Sequence, residues 1–121
     1  MRRMLPEQAR RGAFPALTTT GRKSGQPRTV PLPYFEHDGA LAVVASFAGN
    51  PRNPAWYGNL VAHPEVAVQL GRRRFRATAT TATREQRPAL WESIVARAPM
   101  YGDYQRMTER EIPVVLLEEA R

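Results

Sequence analysis

The chain has 121 residues, a formal net charge of +7 and no cysteine. These features exclude a disulfide framework and thiolate chemistry, and no apolar run approaches the ~20 residues of a membrane-spanning helix. The basic N-terminus lacks the apolar segment of a secretory signal, so we expect one cytoplasmic domain over residues 1–121, with an arginine-rich surface that attracts anions.

Short strands dominate the pattern along the chain. Runs rich in Thr, Val and Leu, or with alternating apolar residues, predict strands. Asp38-Gly39 predicts a hairpin turn, and Thr83 with Gln86 predicts a capping box. The predicted elements, in chain order, are a short helix or frayed arm (1–12), strands (14–20, 28–36, 40–46), a loop (47–54), a short helix (54–64), strands (65–70, 74–80), a helix (83–98), a helical or looped piece (99–110) and a strand (112–118).

This order predicts a fold that is mainly β. At least six short strands, joined largely by hairpins, favour a closed or split antiparallel barrel with helices at its rim. A doubly wound parallel sheet would need a crossover helix between most strands, and those helices are missing from the pattern.

The chain has little catalytic machinery of its own. His37 and His63 lie far apart and have no ligand-like neighbours, so we predict no metal site. We expect His63 to close a helix, where a cation suits the dipole, and His37 to be exposed in a turn. No nucleophile motif or carboxylate pair stands out, so any reaction requires a cofactor.

The turn in "LTTTGRKSGQPRTVPL" has more positive charge than a hairpin needs. Two glycines allow backbone N–H groups to approach a ligand, and Arg22, Lys23, Ser24 and Arg28 add cationic and hydroxyl donors. Such a set suits an anion of more than one charge. It is not a Walker A loop, because that spacing is absent and a strand follows. A solvated basic hairpin is the alternative interpretation of the turn alone.

Two further stretches contain candidate site residues. In "ASFAGNPRNPAWYGNL", Ser46 ends a buried strand, and Asn59 is polar on a short helix whose Trp56 has a spacing that also suits the core. In "YGDYQR", Tyr101 and Tyr104 share a helical face. They are either core aromatics or one wall of a pocket for a flat ligand.

Together these stretches resemble the deazaflavin-dependent nitroreductase family. The matching text is "LTTTGRKSGQPRTVPL", "VVASFAGNPRNPAWYGNLVAHPEVAVQ", "RATATTATREQRPALWE" and "YGDYQRMTEREIPVV", which run in the family's order from Phe14 to Glu118. The resemblance implies a split antiparallel β-barrel, similar to the FMN-binding split barrels. It also implies binding of coenzyme F420, an 8-hydroxy-5-deazaflavin with a phospholactyl-oligoglutamate tail.

The resemblance further implies hydride transfer from C5 of the reduced deazaflavin to a quinone or a nitroaromatic acceptor. Ser46, Tyr101 and Tyr104 would face the acceptor, with Ser46 and Tyr104 as hydrogen-bond donors. The coenzyme tail would lie at the cationic turn. The residues implied to bind the coenzyme are Arg22, Lys23, Ser24, Arg28, Thr29, Val30, Pro31, Val44, Ala45, Ser46, Phe47, Ala55, Trp56, Tyr57, Gly58, Asn59 and Tyr101.

Two departures from the nitroimidazole-reducing relative bear on the acceptor. Ala98 replaces a tyrosine, which opens the pocket and weighs against nitroimidazole reduction, and Phe47 replaces a lysine. One alternative function is an FMN-binding split-barrel reductase, because both flavins carry a phosphate. The other is a basic nucleic-acid-binding module. That module would use the arginines of a second hairpin: Arg72, Arg73, Arg74 and Arg76.

The partners predicted from the sequence are few. We expect a small-molecule acceptor, no specific nucleic acid, and a monomer or homodimer. The predicted cytoplasmic location leaves peripheral membrane contact as an alternative.

Overall fold

The structure, a computed structural model, describes residues 15–120, which form a seven-stranded sheet and three α-helices. A single 3₁₀ turn, Phe47–Gly49, follows the fourth strand. The strands are β1 (Ala16–Thr20), β2 (Pro27–Pro31), β3 (Phe35–His37), β4 (Ala40–Val44), β5 (Glu65–Leu70), β6 (Arg73–Thr81) and β7 (Val114–Glu119). The helices are α1 (Ala55–Ala62), α2 (Arg87–Arg97) and α3 (Met100–Arg106).

The sheet is a split antiparallel barrel. Its strand order is β2-β1-β5-β6-β7-β4-β3, and every pairing is antiparallel. Within the described residues β2 and β3 are the two edges and do not pair with each other, so the barrel stays open between them. The predicted fold class is confirmed.

Two apolar clusters pack on opposite faces of β4 and β7. Val43 and Val115 face a cluster enclosed by the curved sheet and α1, whereas Ala42 and Val44 face a second cluster under α2 and α3. Because successive strand residues point to opposite faces, β4 is buried on both sides. This double burial explains its continuous apolar sequence ALAVV. The helices over the second face position the candidate tyrosines.

The predicted strand over 28–36 is wrong, because the structure divides it into β2 and β3. Pro31 ends β2, and Pro33 lies within the break. Proline has no backbone N–H to donate to a strand ladder and is confined to edges and strand ends. Between the two strands, Leu32 and Pro33 instead line two surface cavities.

Other boundaries moved by a few residues. The β1 strand begins at Ala16, β4 ends at Val44, and residues 1–12 lie outside the described part. The predicted helix over 83–98 begins at Arg87. Its capping box is nevertheless confirmed: the Thr83 N–H donates to Gln86 Oε1 at 2.8 Å, and the Gln86 N–H donates to Thr83 Oγ1 at 3.2 Å.

Of the predictions for the two histidines, one is confirmed and one is wrong. His63 follows the last turn of α1, and its N–H donates to the carbonyl of Asn59 at 2.7 Å, as a helix-closing residue should. The placement predicted for His37 is wrong, because it is the last residue of β3 and only partly exposed. The turn itself consists of Asp38 and Gly39, both with positive φ, as a two-residue hairpin loop requires.

Candidate functional site

The cationic turn between β1 and β2 is folded on itself. The Gly21 N–H donates to the Gln26 carbonyl, and the Gly25 N–H donates to the Gly21 carbonyl, both at 2.8 Å. The Ser24 hydroxyl lies so close to Gly21 that a Cβ there would be 2.5 Å from Ser24 Oγ. Arg28 donates to the same hydroxyl at 3.5 Å. Glycine at position 21 therefore lets Ser24 and Arg28 converge.

Helix α1 holds this turn in place through Asn59. Its side chain is 6% exposed, and its Oδ1 accepts the backbone N–H of Arg22 at 3.1 Å. Its Nδ2 donates to the hydroxyl of Thr19, itself buried, at 3.2 Å. Both ends of the buried amide are therefore bonded, as buried polar groups require. Asn59 thus ties α1 to the turn whose cations it positions.

A cavity of about 310 Å³ lies between the turn and α1. The ion pairs among residues 15–120 use other arginines, and Arg22, Lys23 and Arg28 have no carboxylate partner there. Three uncompensated positive charges around one cavity attract an anion of several charges. This cation-lined pocket is formed by Gly21, Arg22, Lys23, Ser24, Arg28, Val30, Ala55, Trp56 and Asn59.

A second cavity of about 300 Å³ adjoins the first across Trp56, which lines both. Its lining is mainly apolar and aromatic, with hydroxyl-bearing residues at Ser46, Tyr101 and Tyr104. This aromatic pocket is formed by Leu32, Pro33, Val44, Ser46, Phe47, Ala48, Pro54, Trp56, Met100, Tyr101 and Tyr104.

The tyrosines of the aromatic pocket are fixed by their neighbours. The ring of Tyr101 packs edge-to-face against Phe35 at 5.7 Å and against Tyr104 at 5.9 Å. Burial, with a smaller effect from Tyr104, raises the pKa of the Tyr101 phenol above its usual value. Like any phenol, Tyr101 is protonated at neutral pH, and the raised pKa extends the range in which its hydroxyl can donate a hydrogen bond.

Most of the predicted site residues line one of these two pockets, and five do not. Thr29 shares a hydrogen bond of 2.7 Å with Thr18, and the Tyr57 hydroxyl shares one of 2.8 Å with Thr81. Ala45 is fully buried. The other two are Pro31, which lines a separate apolar groove, and Gly58, which lies under the Arg22 guanidinium.

The two positions that depart from the nitroimidazole-reducing relative lie in different parts of the structure, and only one of them lines the aromatic pocket. Ala98 packs against the second apolar cluster and does not line the aromatic pocket. Phe47 lines this pocket and is 51% exposed.

The sequence analysis missed several residues of the aromatic pocket and its support. Leu32, Pro33 and Met100 line the pocket, and Arg110 holds one of its walls. Arginine is the commonest charged residue of this chain, so Arg110 carried no distinguishing signal. Among the described residues there is no cluster of three or more side chains able to hold a metal ion.

A split barrel with a cation-lined pocket beside an aromatic one has the architecture of a cofactor-binding split-barrel protein. A solved F420-H2 dependent reductase (FDR-A) is 42% identical, with a TM-score of 0.78 over 88% of this chain and 94% of that chain. Another solved structure, described as a domain-swapped dimer, is 42% identical, with a TM-score of 0.79 over 88% of this chain and 80% of that chain.

Comparison with known sequences identifies the family within this class of split-barrel proteins. An F420H(2)-dependent quinone reductase of Mycobacterium tuberculosis strain H37Rv is 42% identical over 111 residues, which cover 88% of this chain and 74% of that protein. The family model described as F420H(2)-dependent quinone reductase matches residues 7–119. The chain belongs to the F420H(2)-dependent quinone reductase family, and the predicted kinship with F420-dependent reductases is confirmed.

Proposed function

We propose that this chain transfers a hydride from reduced coenzyme F420 to a quinone. Membership of the family supports both the reductant and the acceptor. The observation that carries the proposal is the pair of pockets meeting at Trp56, one cation-lined and one aromatic. A redox reaction needs its two partners side by side, and this arrangement offers a place for each.

The cation-lined pocket fits the coenzyme tail. That tail is a phosphodiester followed by several carboxylates, and the pocket supplies Arg22, Lys23 and Arg28 without competing acids in the described part of the chain. Charge-assisted hydrogen bonds to such oxygens are about twice as strong as neutral ones. FMN has a single phosphate and would leave part of this cationic set unused, so the donors favour the longer polyanion.

The aromatic pocket fits the acceptor. When bound, the reduced coenzyme would supply the hydride, and negative charge would develop on the quinone oxygens as the quinone accepts it. Tyr101, Ser46 and Tyr104 place three protonated hydroxyls in the same pocket, and burial keeps the pKa of Tyr101 above its usual value. Donors already in place for the developing charge stabilise the transition state most, so we assign the three hydroxyls this role.

We also propose that the protein forms a homodimer. The solved structure described as a domain-swapped dimer, which is 42% identical, supports this assembly. Light scattering coupled to size-exclusion chromatography tests this assembly. A mass of about 27 kDa, double the 13.6 kDa of one chain, would support the dimer.

None of the helices in residues 15–120 is long and apolar enough to cross a membrane.

Coenzyme titration tests the proposed function. Oxidised F420 added to the purified protein should lose fluorescence as it binds with a micromolar or lower Kd. Arg22→Ala and Lys23→Ala should each raise that Kd by about tenfold, the effect of one lost charge-assisted contact. The control is Arg74→Ala, which removes the same charge from an exposed strand residue outside both pockets.

The contrary outcomes are distinct. Absence of F420 binding by wild-type protein, or a yellow purified protein that carries FMN, would overturn the choice of cofactor. Equal weakening by Arg22→Ala and Arg74→Ala would show that only overall charge matters. Turnover with quinones, measured beside a nitroaromatic panel, then tests the acceptor.

A further inference from the structure

Arg110 makes four hydrogen bonds to one segment of the chain. Its Nη2 donates to the Ser46 carbonyl at 2.7 Å and its Nε to the Asn50 carbonyl at 2.9 Å. Its Nη1 donates to Asn53 Oδ1 at 2.9 Å and to the Ala45 carbonyl at 3.3 Å. The planar fork of a guanidinium is suited to such multiple bonding, and lysine cannot reproduce it.

The segment that Arg110 holds is conformationally unfavourable. Phe47 and Ala48 have φ values of 48° and 53°, in the left-handed region that costs non-glycine residues about 1–3 kcal/mol each. Within the segment, two backbone bonds oppose that cost, from Gly49 N to the Ser46 carbonyl and from Asn50 N to the Phe47 carbonyl. The external bonds from Arg110 add to these in opposing that cost.

Arg110 is also connected to the opposite wall of the aromatic pocket. Its backbone carbonyl accepts a hydrogen bond of 2.8 Å from Gln105 Nε2 in α3, next in the chain to Tyr104. Gln105 Oε1 in turn accepts the Ile112 N–H at 2.9 Å. One residue thus joins the wall formed by Ser46, Phe47 and Ala48 to the helix that carries both tyrosines.

We propose that Arg110 is a positioning residue for the electron acceptor, because it sets the Ser46–Ala48 wall of the aromatic pocket relative to Tyr101 and Tyr104. It lines neither pocket, so it acts without touching the coenzyme or the quinone. The inference rests on the proposed function, in which the aromatic pocket holds the acceptor. The cation-lined pocket, which would hold the coenzyme tail, is built by a different hairpin and by α1, so coenzyme affinity should depend on Arg110 less than quinone binding does.

The test compares Arg110→Gln and Arg110→Lys with the control Arg106→Gln, an exposed arginine of α3 that pairs with Asp103. Both Arg110 variants should raise the KM for a quinone and lower kcat/KM by about tenfold or more, since a misplacement of ~1 Å can lower a reaction rate about a hundredfold. The Kd for F420 should rise several times less than that KM, because the contacts to the coenzyme tail stay in place. Arg106→Gln should leave both constants unchanged.

Amide hydrogen exchange supplies a measurement that needs neither coenzyme nor turnover. In the Arg110 variants the amides of Gly49 and Asn50 should exchange faster, while those of the β5–β6 hairpin stay protected. Asn53→Ala, which removes one acceptor of Arg110 without changing charge, should move exchange and KM in the same direction by less. It serves as the second variant if both Arg110 substitutions fail to fold.

Several results would overturn the inference. Unchanged exchange at Gly49 and Asn50, an F420 Kd that rises as much as the quinone KM, or an equal effect of Arg106→Gln would each do so. If the Arg110 variants do not fold and Asn53→Ala changes nothing, Arg110 has a general structural role instead. If wild-type protein does not bind F420, the proposed function fails, while the exchange experiment still decides whether Arg110 orders the wall.

Discussion

The absence of a side chain at Gly58 leaves space for the positive charge of Arg22. A Cβ at this position would lie 2.5 Å from Nη1 of Arg22, whose guanidinium rests against the exposed face of α1. Glycine is unfavourable inside a helix by up to about 1 kcal/mol relative to alanine. Alanine at this position would therefore displace the guanidinium of Arg22, the flexible end of an exposed side chain.

The substitution Gly58→Ala separates stability from binding. We expect the free energy of unfolding to rise by up to about 1 kcal/mol and the F420 Kd to increase severalfold, because Arg22 must move. Gly102→Ala in α3 is the matched control, since its nearest neighbours would be an ordinary 3.5 and 3.7 Å away. Urea denaturation and fluorescence titration measure both effects. Equal Kd values for the two variants would contradict this account of Gly58.

Tyr34 links stability to alkaline pH. Its hydroxyl donates to the Ala16 carbonyl at 2.6 Å, and burial raises the pKa of the phenol above its usual value. In the unfolded chain the phenol ionises near pH 10, whereas in the folded protein it keeps its proton to higher pH. The contribution of Tyr34 is therefore fully present below about pH 10 and falls as the pH rises further.

Comparison with Tyr34→Phe isolates this effect. At pH 7 to 9 wild-type protein should be more stable than the variant by about 1 kcal/mol, the typical net value of one hydrogen bond. Above about pH 10 the difference should shrink, because only wild-type protein has a phenol here that ionises on unfolding. Urea denaturation across this range measures it. A difference that stays constant through pH 11 would count against the raised pKa.

Among the elements, the 3₁₀ turn and α3 meet through Gly49. This glycine is buried, has a φ of 79°, and a Cβ there would lie 2.9 Å from the Tyr104 carbonyl oxygen and from Met107 Cβ. Neither a backbone oxygen nor a Cβ can easily move aside for an added methyl group. The contact thus brings the wall that contains Ser46 against the helix that contains Tyr104.

Gly49→Ala should consequently cost more than its backbone angle alone explains. Gly39 has a nearly equal φ of 81° and open space around it, so Gly39→Ala measures the conformational cost by itself, about 1–2 kcal/mol. We expect Gly49→Ala to lose a further 1–3 kcal/mol or so from overpacking. Chemical denaturation compares the two variants. Equal losses would mean that α3 shifts freely away from the turn.

For the whole molecule, the net charge of +7 makes coenzyme binding sensitive to salt. Raising the ionic strength from about 0.05 to 0.5 M shortens the Debye length from about 14 to 4 Å. The F420 Kd should rise severalfold over this range, while the KM for an uncharged quinone stays nearly constant. The rise should be smaller for Arg22→Ala than for Arg74→Ala. A salt-independent Kd would remove the electrostatic basis of the cation-lined pocket.

Local sequence was sufficient for much of the fold. Asp38-Gly39, the Thr83–Gln86 box and the alternating residues of β5 and β6 have preferences that depend on immediate neighbours, and the structure agrees with each. The prolines at 31 and 33 are visible in the sequence, but the strand was nevertheless predicted to continue through them. The split barrel followed from hairpin connectivity together with the family resemblance.

The cationic turn and the tyrosine pair were likewise visible in the chain as clusters of chemistry within a few residues. Their relation to one another was implied only by the family resemblance, because it depends on contacts between residues far apart in the chain. Asn59 reaches Arg22 across 37 positions, and Arg110 reaches Ser46 across 64. Only when the barrel curls and α3 packs beneath it do these side chains meet. Local composition thus determined which charges and rings the protein has, and long-range packing decided that they surround two pockets sharing one tryptophan.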